Sequence, residues 1–149
     1  MKLALKYGLL ITAAIITWVV FAHLLVPNPC SAVHVVGPIA FFNLSEIAGI
    51  YLGMVARKRE AVDQLPFKSG LKFGMGIAAV YGVGSCLFFG IFLMVLGSGV
   101  MCPQPGMEAF PLWKVAAFAF VAQFAGAVFL GLIYSTIIAF ALATRRRGA

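Results

Sequence analysis

The chain reads as an all-α membrane protein of four transmembrane helices, and three observations lead there. Apolar residues make up 63% of the sequence and charged residues only 10%. A soluble domain carries about a quarter charged residues on its surface, so this chain has too little polar surface to face water on every side. Of its eleven lysines and arginines, ten fall into three clusters separated by four long apolar stretches. Lys2 and Lys6 precede the first stretch, Arg57, Lys58, Arg59, Lys68 and Lys72 lie between the second and third, and Arg145, Arg146 and Arg147 follow the fourth.

The spans run over about 7–26, 35–56, 73–96 and 115–143, within a single domain of 1–149. Each reaches the roughly 20 residues that cross about 30 Å of hydrocarbon at 1.5 Å per residue. Lipid offers no partner to a backbone N–H or C=O, so a span is helical unless it closes a barrel, and the alternation of strands is absent. The first span begins with a charged start like a signal peptide's. Its apolar run of about 20 residues exceeds the 7–15 of a signal core, so it is read as a retained helix. The net charge of +7 is then a positive-inside bias rather than a nucleic-acid footprint. Both termini are expected in the cytoplasm, with anionic lipid headgroups as partners of the basic clusters. The 27–34 and 97–113 loops face outward.

The start of the third span echoes that of the first: Leu5-Lys6-Tyr7-Gly8 against Leu71-Lys72-Phe73-Gly74. Each half has a cysteine beside a proline in its outer loop, Pro29-Cys30 and Cys102-Pro103, and Ile-Tyr in its second helix, Ile50-Tyr51 and Ile133-Tyr134. Two tandem related hairpins of the same orientation would be related by a pseudo-two-fold axis along the membrane normal. Coincidence among apolar helices that share a small alphabet is the alternative.

Every fourth residue of the third span is small, at Gly70, Gly74, Ala78, Gly82, Cys86 and Gly90. The fourth span has Ala119, Gln123, Ala127, Gly131, Ser135, Ala139 and Ala143 at that spacing, and the second has Ser45, Gly49 and Gly53. In lipid, small residues favour association by letting backbones approach closely. The ridges predict a compact bundle of spans two, three and four, with span one peripheral.

Glu46 is the one carboxylate inside a span. It sits about 15 Å from either end of 35–56, where a charge costs on the order of 3 kcal/mol on insertion scales, so it should face protein or be held neutral. Asn43, Glu46, Gly49 and Gly53 share one helix sector. Thr17 and Ser85 lie at similar depth and Gln123 somewhat nearer the outer side, each a candidate hydrogen-bond partner. A proton or cation relay is one reading. The other is a buried acid that pins helix register through Asn43 or Gln123.

Cys30 and Cys102 share the outer side, where a disulfide can form if their Cα atoms come within 7 Å. Cys86 reads as a packing residue. His23 and His34 with the two outer cysteines match no zinc spacing, neither histidine is deep enough for a paired haem site, and no cofactor motif is present. Asn43-Leu44-Ser45 has the form of a glycosylation sequon but lies inside the bilayer. Trp18, Trp113, Tyr7 and Phe110 read as core or interface anchors.

The run Leu5-Lys6-Tyr7-Gly8, the Gly49-Ile50-Tyr51-Leu52-Gly53 stretch, the Leu65-Pro66-Phe67-Lys68-Ser69-Gly70 approach and Gly131-Leu132-Ile133-Tyr134-Ser135 resemble a known family. It is the domain of unknown function 4199 family of small four-span proteins. The resemblance covers most of the chain and implies a bacterial inner-membrane protein, without an assigned reaction or site residues. The family's third loop is often longer, and it brings no fixed cysteine pair.

The sequence favours a non-enzymatic packing, assembly or accessory subunit, as a homo-oligomer or part of a larger membrane complex, with no cofactor and no metal. The alternative is a small proton- or cation-coupled transporter or channel component using Glu46. A membrane enzyme ranks third, for want of a nucleophile or metal set.

Overall fold

A computed structural model describes residues 2–61, 65–97, 102 and 110–143. Five helices follow in order: α1 (Lys2–Leu25), the single turn α2 (Ala32–Val35), α3 (Gly37–Glu60), α4 (Phe67–Leu96) and α5 (Leu112–Leu142). Four of them, α1, α3, α4 and α5, are long and apolar enough to cross a membrane, and no strand occurs among the described residues. Their outer faces suit hydrocarbon: Phe140 is 76% exposed and Met94 75%, an arrangement that water would penalise heavily.

Local chemistry sets the ends. Pro38 lies in the first turn of α3, and Pro66 and Pro111 are the residues before α4 and α5. At these places the missing N–H costs no helical bond. Gly97 ends α4 with φ 73°, the left-handed region that glycine enters without a Cβ penalty. The helices overrun the sequence-derived spans: α1 starts at Lys2 rather than residue 7, α3 continues to Glu60, and α4 starts at Phe67. Hydropathy marks where hydrocarbon ends, but the backbone ladder continues into the headgroup layer. Lys2, Lys6, Arg57 and Lys72 therefore stand on helical turns. At the far end Val36 separates α2 from α3, so the second span opens after a break in the helix.

The starts of α1 and α4 and the ends of α3 and α5 lie together, and the first three of these bring basic residues. Lys2, Lys6, Arg57 and Lys72 line one groove, and Lys58 Nζ donates to the Leu142 carbonyl at 3.2 Å, capping the last turn of α5. The Arg145–Arg147 cluster lies outside the described residues. At the opposite end a disulfide joins Cys30 to Cys102, with their Cα atoms 4.7 Å apart. Asn28 Oδ1 accepts from the Cys30 N–H at 2.9 Å and holds the turn that presents this cysteine.

The two small-residue ridges meet each other. Gly70 faces Ala139, Gly74 faces Ser135, Ala78 faces Gly131, and Gly82 faces Ala127, all in antiparallel register. One step further, Cys86 Sγ donates to the Phe120 carbonyl at 3.4 Å. The ladder then opens, for among the described residues nothing lies within 4 Å of a Cβ placed on Gly90. The α4–α5 contact is the most extensive in the bundle.

Helix α1 is not peripheral, contrary to the expectation from its few small residues. It packs against α4 and α3 more extensively than α3 packs against α4. The reason is that a notch is needed on one partner only. Ile11 of α1 fills the gap at Gly49, Thr12 fills that at Gly84, and Tyr7 lies over Gly53. Ile11 and Ile15 thereby enter the core with Ile50, Met54 and Ile77.

The related sequence positions of the two halves have different surroundings. Gly8 meets Val80 of α4, whereas Gly74 meets Met54 and Ser135. Tyr51 is 48% exposed, while Tyr134 is partly buried and donates a hydrogen bond to Asn43.

Candidate functional site

Glu46 is buried in the centre of the bundle, 2% exposed. Helix α3 turns it inward on the face that also carries Ile50, Gly53 and Met54. The carboxyl fits because α5 has a glycine opposite: a Cβ on Gly131 would stand 2.9 Å from Glu46 Oε1 and would also overlap Ala78. Oε1 has no hydrogen-bond partner among the described residues. An unpaired buried acceptor is costly, so the group calls for a function or for an occupant such as a proton.

The polar side chains expected around it are distributed otherwise. Asn43 Nδ2 donates to the Ile39 carbonyl of its own helix, while its Oδ1 accepts from the Tyr134 hydroxyl. Gln123 Nε2 donates to the Tyr81 hydroxyl at 3.4 Å. Ser85 Oγ turns back to the Gly82 carbonyl at 3.1 Å. Thr17 is exposed and donates to the Ala13 carbonyl at 2.9 Å. Register pinning of Glu46 through Asn43 or Gln123 is thus not made, because each amide finds a tyrosine instead.

Those tyrosines are what sequence reasoning missed. Tyr81 lies one turn beyond Ala78, which meets Gly131 beside Glu46, and Tyr134 lies one turn beyond Gly131 itself. Gln123 donates to the phenol oxygen of Tyr81, which leaves the Tyr81 proton free to be donated elsewhere. Ser135, one turn from Gly131, is fully buried with its Oγ unpaired among the described residues. A signal for all three existed: Tyr81 follows Ala78 by three residues, and Tyr134 and Ser135 follow Gly131 by three and four. They therefore share the faces of the small-residue ridges.

At the disulfide end, where the α4–α5 ladder opens, lies a cavity of about 370 Å³. Trp18, Phe42, Phe89 and Phe92 form much of its wall, Cys102 is at its rim and Gln123 contributes an amide. Trp18 stacks on Phe41 at 4.7 Å, and His23 meets Phe92 edge-on at 5.6 Å. His34 pairs through Nδ1 with Ser31 Oγ at 3.0 Å. Neither histidine joins the cysteines in a ligand set: no group of three His, Cys, Asp or Glu side chains is gathered among the described residues. Gln123 thus faces the cavity and also touches Tyr81, so it connects open space to the neighbourhood of Glu46.

Comparison of the chain with protein-family models, with curated proteins and with solved structures finds no match. The functional reading therefore rests on the geometry of the four-helix bundle.

Proposed function

We propose that this chain is a small membrane carrier in which Glu46 binds and releases a proton, reached from the disulfide end through the cavity, Gln123 and Tyr81. The observation that carries this reading is the buried carboxyl oxygen of Glu46, without a partner among the described residues and lodged against Gly131. A proton suits the site better than a metal cation, which would need several oxygen ligands at once. Intramembrane acids that face the interior of a bundle commonly mark proton paths. Tyr81 has a hydroxyl that can accept and donate on one oxygen, as a relay requires. Beyond Glu46 the ladder is closed by Gly74 against Ser135 and Gly70 against Ala139. Passage to the basic end then requires α4 and α5 to part, which gives the two-sided access of a carrier rather than an open pore.

The test is purified protein in vesicles with a trapped pH dye and an imposed potential. Wild type is expected to move protons, and Glu46→Gln to abolish the flux with unchanged elution and thermal unfolding. A flux that survives in this variant, or none in the wild type, sinks the proposal.

An accessory-subunit reading has one observation in its favour. Among the described residues nothing lies within 4 Å of a Cβ on Gly90 or Gly126, and each leaves a notch that another helix could fill. The ridges that first suggested assembly are used inside the bundle, which weakens it. A monodisperse monomer without a co-purifying partner after gentle extraction would count against it. Both readings take the basic end as cytoplasmic, on the positive-inside bias, and the membrane as the bacterial inner membrane, on the family resemblance.

A further inference from the structure

The basic end holds a groove of about 610 Å³ between the start of α1, the end of α3 and the start of α4. Lys2, Lys6, Arg57 and Lys72 line it, together with Ser69 in the first turn of α4. Glu60, 3.4 Å from Arg57, is the one carboxylate on its wall among the described residues. Four cations from three helices thus face one acid. They repel one another unless an anion enters, and each stands within a turn or two of the apolar span that puts it at headgroup depth. The remaining wall is small or apolar, with Ala4, Gly76 and Phe73 continuing toward the hydrocarbon. Of the other described cations of this end, Arg59 and Lys68 are exposed and do not line the groove, and Lys58 is engaged by the Leu142 carbonyl.

We propose that this groove is a binding site for the phosphodiester headgroup of an anionic phospholipid, held by Lys2, Lys6, Arg57 and Lys72 with Ser69 as a neutral donor. The acyl chains run along the exposed side of α1, past Leu5 and Leu9. The site differs from a diffuse positive surface in that it depends on particular cations. It is also independent of the role of Glu46.

Native mass spectrometry of the full chain in mild detergent, titrated with phosphatidylglycerol or phosphatidylcholine, tests it. One phosphatidylglycerol is expected to be retained in preference to phosphatidylcholine. Lys2→Gln with Lys72→Gln should weaken retention about 25-fold, on the order of fivefold per charge, and Lys→Arg at both positions should restore it. Arg59→Gln with Lys68→Gln, which removes the same charge outside the groove, should change it less than about twofold. All these side chains are exposed, so unchanged elution verifies folding. Equal losses from the two pairs would show a diffuse field and overturn the site, as would no preference for phosphatidylglycerol. Full displacement by millimolar inorganic phosphate would overturn the lipid as its occupant.

Discussion

Gly131 of α5 lies against the carboxyl of Glu46 on α3, so that a Cβ added there would come to 2.9 Å from Oε1. The glycine belongs to the α4–α5 ladder and also makes the room in which the acid sits. Packing and the candidate site therefore depend on the same missing methyl group.

Gly131→Ala is accordingly expected to force α4 and α5 apart, because the atom it meets is the Cβ of Ala78, which has no rotamer by which to yield. Overpacking of this kind costs about 1–3 kcal/mol. Thermal unfolding in detergent should show a clear fall for Gly131→Ala and almost none for Gly126→Ala, where the space is open. Equal stability of the two would mean that the ladder is not tight.

The proton reading separates residues of similar chemistry. Tyr81→Phe and Gln123→Ala should slow vesicle flux at least tenfold, because they break the connection from the cavity. Thr17→Val should leave it unchanged, since that hydroxyl faces outward and bonds its own helix. A flux as sensitive to Thr17 as to Tyr81 would contradict the proposed route.

Tyr134→Phe removes the bond to Asn43 that ties α5 to α3. Hydrogen bonds between helices in a bilayer are worth about 0.6 kcal/mol, and up to about 1.7, so a small loss of stability is expected. Asn43→Ala made together with Tyr134→Phe should add little further, and a double-mutant cycle measures that coupling. Strict additivity would show that the two do not interact.

The Cys30–Cys102 bond can be read directly. Under oxidising conditions neither thiol should label with maleimide until reductant is added, and Cys86, buried, should resist labelling in both states. Cys30→Ser should lower the temperature of unfolding, since the disulfide ties the tip after α1 to the segment between α4 and α5. Free labelling of both outer cysteines in untreated protein would exclude the bridge.

Much of this molecule is legible in the order of its residues. Four apolar runs bounded by lysine and arginine have one low-energy disposition across about 30 Å of hydrocarbon, and the four long helices follow. The every-fourth-residue spacing of glycine and alanine on α4 and α5 identified the two faces that meet. Glu46 stood out because a carboxyl in the middle of a span is expensive. What the sequence left undecided was helix rotation and axial offset. Apolar residues surround these helices on all sides, so no amphipathic stripe marks which face is buried. That is why α1, with few small residues, was misjudged: Ile11 and Thr12 supply the bulk that fills the notches of Gly49 and Gly84. It is also why the amides of Asn43 and Gln123 could be placed near Glu46 but not matched to Tyr134 and Tyr81. A shift of one residue along an axis moves a side chain about 1.5 Å and turns it by about 100°. That is enough to exchange one hydrogen-bond partner for another at little cost in apolar burial. The sequence by itself determined the four spans and the acid within one of them, because transfer from water to hydrocarbon decides them residue by residue. Only the tertiary structure decided that Gly131 faces Glu46 and that four separated cations line one groove, because those depend on how the helices interlock.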